Sequence, residues 1–174
     1  MKYYTADTHF GDERIIRLCN RPFDTLQDMT SNIIKRWNST VDVNDDVYII
    51  GDYACGNLDA FNEITNSLNG IKHLVPGNHD VEWMSDPAKS AMFDIMSMID
   101  VITDNERKVV LCHYPLAAYD GSTSGAVHVY GHVHNNYNEP NYELIGSLKG
   151  CYNAGVDVND FTPKTLEQLM GATI

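Results

Sequence analysis

The sequence predicts an α/β fold in which two sheets pack face to face with helices on the outside. Three observations carry that expectation. Through the first half, short apolar β-rich runs alternate with helical patterns in the order β-α-β-α-β, which favours a sheet with helices on its faces. From about Met98 onward strand-like runs dominate, broken by turn signals, and predict a more antiparallel second sheet. Five apolar runs each stop at Asp, Asn or His, and in open α/β sheets ligands sit beyond the carboxyl ends of the strands.

The first run, Lys2–Ala6, reads as a strand. A helix follows over Thr25–Trp37, where Leu26, Met29, Ile33, Ile34 and Trp37 recur at helical spacing. Asp46–Ile50 is the next strand, Leu58–Leu68 the next helix, Ile71–Val75 the third strand, and Val81–Met96 a less regular helical stretch. In the second half, Val109–Cys112 and Val127–Tyr130 read as strands, with turn signals at Asp104-Asn105, Asp120-Gly121 and Gly150. Thr162 followed by Pro163, with Glu167 nearby, predicts a last helix starting there. No repeat, low-complexity tract or linker divides the chain, so residues 1–174 read as one domain.

Composition narrows the function classes. A chain of 174 residues with 43% apolar and 21% charged residues is long enough to bury a core and ordinary for a soluble globular protein. A net charge of −12 argues against gripping extended DNA or RNA, which needs a basic surface. It does not exclude a small phosphorylated substrate, because a bound metal would reverse the field locally. No apolar run approaches the ~20 residues of a membrane span, and Met1–Asp7 holds no signal-peptide core. Cys19, Cys55, Cys112 and Cys151 lie far apart with no C-x-x-C pair, which suits reduced thiols in a cytoplasm.

The chemistry is concentrated where the strands stop. The tips are Asp7-Thr8-His9, Gly51-Asp52, Gly77-Asn78-His79-Asp80, His113-Tyr114-Pro115 and Gly131-His132-Val133-His134. Carboxylate and amide oxygens with neutral imidazole suit manganese, iron, zinc or nickel, and no thiolate falls within the set. In Asp-x-His and His-x-His the side chains are two apart on an extended segment, so both can reach one centre. Singly, these pieces are weak: Gly-Asp marks a turn more often than a ligand, and a lone histidine is more often packed or at the surface. All five in this order, each after an apolar strand, reverse the odds. The motifs take five of the seven histidines; His73 and His128 lie inside strands and read as ordinary sheet-face residues.

The order D-x-H, G-D, G-N-H-D, H, G-H-x-H resembles the calcineurin-like metallophosphoesterase superfamily from Asp7 to His134. The start Asp7-Thr8-His9-Phe10-Gly11, continuing to Asn20-Arg21-Pro22-Phe23, further resembles small single-domain bacterial and phage phosphoesterases. That resemblance implies a four-layer α/β/β/α sandwich. It also implies that Asp7, His9 and His134 hold one metal, that Asn78, His113 and His132 hold another, and that Asp52 bridges both. His79 would stand near the leaving group without binding metal. Two departures matter. Asp12 stands where many small relatives carry His, and Gly51-Asp52-Tyr53-Ala54-Cys55-Gly56 lacks the G-D-x-x-D-R-G of phosphoprotein phosphatases.

Charge counting supplies a mechanism. Two divalent ions against Asp7, Asp52 and a bridging hydroxide leave a small positive charge, which fits a phosphodiester and also accommodates a phosphomonoester. Metals ~3.5–4 Å apart can activate the shared water and stabilise in-line displacement. His79 is the expected general acid, with Asp80 a candidate to orient it. Arg14, Arg17 and Arg21 gather after the first motif, and an arginine fork suits phosphate. For Arg14 and Arg17 helix-surface charge is an equal reading, while Arg21 and Asn153 are candidates to edge the substrate pocket. Two rival functions remain at this level: a metal-binding interaction scaffold of the same fold, and a metal-dependent nuclease. A homodimer is left open.

Overall fold

A computed structural model describes residues 1–136, 138 and 140–171. The chain begins with strand β1 (Lys2–Thr5), a short helix α1 (Arg14–Leu18) and the long helix α2 (Leu26–Asn38). There follow β2 (Asp46–Ile50), α3 (Phe61–Ser67), β3 (Ile71–Val75), α4 (Val81–Met84), α5 (Pro87–Ser90) and β4 (Asp94–Ile95). The second half contains β5 (Ile99–Asp104), β6 (Arg107–Cys112), β7 (Val127–Tyr130), α6 (Tyr142–Gly146), β8 (Cys151–Asn153) and α7 (Leu166–Gly171).

Helix α2 forms because Met29, Ile33 and Trp37 fall on one buried stripe and the Thr25 hydroxyl caps its start, accepting from the Asp28 N–H at 3.1 Å. The helical stretch expected over Val81–Met96 is instead two short helices and a strand. Pro87 lacks the N–H a helix interior needs, so it opens α5, where Asp86 caps the Ala88 N–H. The last helix starts later than Thr162-Pro163 suggested. Lys164 pairs with Tyr4 of β1, and Thr165 and Gln168 then exchange hydrogen bonds as a capping box.

Strands β1 to β4 form one parallel sheet in sequence order, as the alternating pattern implies. The second sheet, β5-β6-β7-β8, differs from the antiparallel expectation. Only the β5–β6 hairpin is antiparallel; β6, β7 and β8 run parallel. Asp104-Asn105 does mark that hairpin, with positive φ at Asn105 and Glu106. Asp120-Gly121 and Gly150 instead lie within, or at the end of, long crossover connections, which parallel strands require.

Alternation sorts the side chains into two cores. Tyr3, Val47, Ile49 and Leu74 face the helices and pack with Met29, Ile33, Trp37 and Phe61. Tyr4, Tyr48, Ile50 and Val75 face the other way, against Val109, Leu111, Val127 and Val129 of the second sheet. The sheets are therefore face to face. Segment 154–164 stitches them beside the strand tips: Ala154 donates to Tyr130 O at 2.8 Å and accepts from Ala6 N at 2.9 Å. Of the two histidines read as sheet-face residues, His73 is held between Asp46 and Asp94, while His128 is fully buried between Val110 O and the Leu116 N–H.

Candidate metal centre

The five expected tips converge, and the backbone is held in an unusual conformation to bring them together. Asp7, His9, Asp52, His132 and His134 all have positive φ, between 50° and 72°. Such conformations cost on the order of 1–3 kcal/mol each and persist only where the surroundings fix them, typically at functional sites. Hydrogen bonds do the fixing. Asp7 N donates to Gly51 O and His9 N to Asp52 O, both at 3.0 Å, locking the first tip onto the second. The His132 N–H donates to the Asp7 carboxylate at 3.0 Å, bringing in the fifth. Two glycines permit this approach: a Cβ at Gly77 would lie 2.3 Å from Asp52 Oδ1, and one at Gly131 2.7 Å from Asp7 Oδ2.

Two groups of donor atoms result, each within 4.8 Å: Asp7, His9 and His134 in one, Asp52, His113 and His132 in the other. Asp52 Oδ2 lies between them, 3.6 Å from His9 Nε2 and 3.3 Å from His113 Nε2. Asn78 Oδ1 is 3.2 Å from His113 Nε2 and so joins the second group. His113 donates Nδ1–H to Ile50 O at 2.8 Å, which leaves Nε2 as the nitrogen directed into the site.

The residues fit a cation on their own evidence. His9 is 2% exposed, yet neither ring nitrogen has a hydrogen-bond partner among the described residues. Buried polar atoms are almost always partnered, so an orphaned imidazole among carboxylates calls for an ion. The local field agrees. Burial opposes charge at every group, but Asp52 outweighs it at His113, raising its pKa to about 9, while the His113 partner lowers Asp52 to about 2. At His134, burial is likewise overcome, chiefly by Asp157, and the pKa rises to about 10. At His113 and His134 the site thus favours positive charge, whereas burial and the neighbouring His113 hold His132 below its ordinary value.

Around these ligands the structure redistributes several expected roles. His79 lies in neither donor group; its ring is exposed, 5.2 Å from the His9 ring, with Nδ1 3.6 Å from Cys55 Sγ. Asp80 does not orient it. Its buried carboxylate accepts from Asp52 N, Gly77 N, Tyr53 N and Trp83 Nε1, at 2.7 to 3.0 Å, so it staples the second tip to the third. Asp80→Asn would turn an amide toward two of those donors. It is expected to destabilise the metal-free protein by about 2–6 kcal/mol, read by urea unfolding, since each orphaned buried donor costs ~1–3 kcal/mol.

Arg21, expected at the substrate, is instead buried under the site. Its guanidinium is bidentate to Asp157, at 2.7 and 2.9 Å, and donates to Asp7 O and Thr8 O. Asp12 is held below the usual carboxyl range by His9, 3.8 Å away, and then by the exposed Arg14, which forks onto it. Asn153 bonds to His134 O and to the Gly155 N–H, fixing the fifth tip from behind. Asp157 was not singled out as a site residue from sequence. It accepts from His134 Nδ1–H at 2.8 Å, and only its place in Gly155-Val156-Asp157 after an apolar run hinted at it. Cys19 also comes within reach of His134 and Asp157, but Arg21 already occupies both Asp157 oxygens.

An uncharacterised protein of Methanocaldococcus jannaschii is 31% identical over 170 residues, covering 97% of this chain and 88% of that protein. The Gene 66 protein of Mycobacterium phage L5 is 32% identical over 82 residues, 45% of this chain and 39% of that one. Among solved structures, a protein of unknown function from Aquifex aeolicus superposes with a TM-score of 0.73 at 26% identity over 94% of each chain. The family model for calcineurin-like phosphoesterases matches residues 3–146, a span that contains all seven ligand candidates. The chain thus belongs to the calcineurin-like phosphoesterases, metal-dependent hydrolases of phosphoric ester bonds.

Proposed function

We propose that the protein holds two divalent ions and hydrolyses a phosphodiester, or a phosphomonoester, of a small substrate. The observation carrying this reading is that two donor groups meet at one carboxylate, Asp52, while His9 is buried with both nitrogens free. Asp7, His9 and His134 would hold one ion, Asn78, His113 and His132 the other, with Asp52 shared. Ions so held supply Lewis-acid charge to a phosphoryl oxygen and acidify water, and manganese is the first choice for this oxygen–imidazole set. His79, outside both groups, delivers the proton to the departing oxygen. A scaffold would have no use for such a group.

A net charge of −12 supports a small substrate over a nucleic-acid polymer. Among the described residues no helix is long and apolar enough to cross a membrane. Four free cysteines favour a reducing, cytoplasmic setting.

Two expected results test the proposal. Apo-protein reconstituted with manganese should carry two ions per chain by elemental analysis; a reproducible single ion would refute the shared-carboxylate arrangement. A manganese-supplemented screen over chromogenic monoesters, diesters and cyclic nucleotides should show turnover that a chelator abolishes. Metal binding without turnover on any of them would instead favour the scaffold.

A further inference from the structure

We propose that Asp157, clamped by Arg21, is the positioning carboxylate that sets metal affinity at the Asp7/His9/His134 group alone. This rests on the metal-binding reading above and extends it to two residues outside the ligand set. Asp157 Oδ2 accepts the His134 Nδ1–H at 2.8 Å. Fixing the proton on Nδ1 leaves the lone pair on Nε2, the nitrogen 3.9 Å from Asp7 Oδ1 and facing its group. Arg21 holds both Asp157 oxygens and, with its remaining N–H groups, the carbonyls of Asp7 and Thr8. One buried cation therefore ties the loop carrying Asp7 and His9 to the carboxylate that aims His134. The Asp157 and Arg21 side chains are 1% and 0% exposed, so water does not compete for these bonds.

The network is one-sided. None of its hydrogen bonds reaches Asp52, Asn78, His113 or His132. The second group has its own support in the bond from His113 to Ile50 O. Disturbing Asp157 should therefore separate the two positions. An amide cannot replace the carboxylate, because either orientation of Asn sets an NH2 against an Arg21 donor.

The test is stepwise manganese titration of chelator-stripped protein by calorimetry, with thermal melts of the metal-free form. Asp157→Asn should weaken one binding step ~10–100-fold, the usual cost of losing a partner of a metal-bound histidine, and leave the other unchanged. In a His134→Ala background the same substitution should add little, because both act on one ligand. Should Asp157→Asn fold poorly with Arg21 unpaired, Arg21→Gln/Asp157→Asn removes both charges and carries the same expectation. Equal weakening of both steps, full additivity with His134→Ala, or unchanged affinities would overturn the inference. A wild type that binds a single ion would defeat the dinuclear proposal instead, and non-additivity with His134→Ala on that one step would still decide the role of Asp157.

Discussion

Asp52→Asn is expected to lower kcat/KM by about 10³-fold or more while leaving the fold intact. Among the described residues, Asp52 Oδ2 is the one carboxylate oxygen within 3.6 Å of a histidine from each donor group, so its charge is shared by both positions. Losing ~4 kcal/mol of transition-state charge stabilisation corresponds to ~10³ in rate. The fold should survive because Asn has the same shape. Its backbone N–H still reaches Asp80, and its amide oxygen can still accept from His79 N as Asp52 Oδ1 does at 2.9 Å. Removing one partner of the buried Asp52–His113 pair should lower the melting temperature of the metal-free protein, but its unfolding transition should stay cooperative. The comparison is Asp12→Asn, whose carboxylate is engaged by Arg14 and stands 3.8 Å from His9 Nδ1, outside both groups. It should cost far less. Steady-state kinetics with metal analysis would decide, and equal losses in the two variants would mean that Asp52 is not the shared ligand.

The centre was legible in sequence because its chemistry is local: each ligand sits within a few residues of the end of an apolar strand, and strand ends are easy to find. What surrounds the ligands was much less so. Arg21 and Asp157 are 136 positions apart, and nothing near either one announces the other. An arginine close to a metal motif reads naturally as a phosphate fork, whereas burial turns it into a strut between two loops. Asp80 is a similar case: its place beside His79 made it a candidate to orient that ring, whereas its carboxylate is taken up by four hydrogen bonds to other groups.

The fold divides along the same line. Periodicity places β1, β2, β3 and α2, because each buries a side-chain set with a clear repeat. It says nothing about strand direction in the second sheet, which depends on where the crossover from Cys112 to Val127 travels. Strands β4 and β8 are two and three residues long, too short to show alternation. Half-exposed β5, with Ile99 and Val101 toward solvent, lacks the apolar continuity of its neighbours.

The sharpest test of mechanism is His79→Ala. His79 belongs to neither donor group, so the variant should retain its metals and bind substrate nearly as well. Its ring is exposed and 5.2 Å from that of His9, close enough to meet a leaving group at the rim of the site. For a substrate with a poorly departing alkoxide, kcat should fall ~10²–10⁴-fold, the usual contribution of a general acid. A nitrophenolate departs without protonation, so the loss there should be much smaller. The pair of substrates forms an internal control. A displaced ion slows both alike, because charge stabilisation at phosphorus serves either leaving group. A missing proton slows only the substrate that needs one. Elemental analysis of the same preparation closes the remaining gap: equal losses on both substrates, or a variant short of metal, would remove His79 from the acid role.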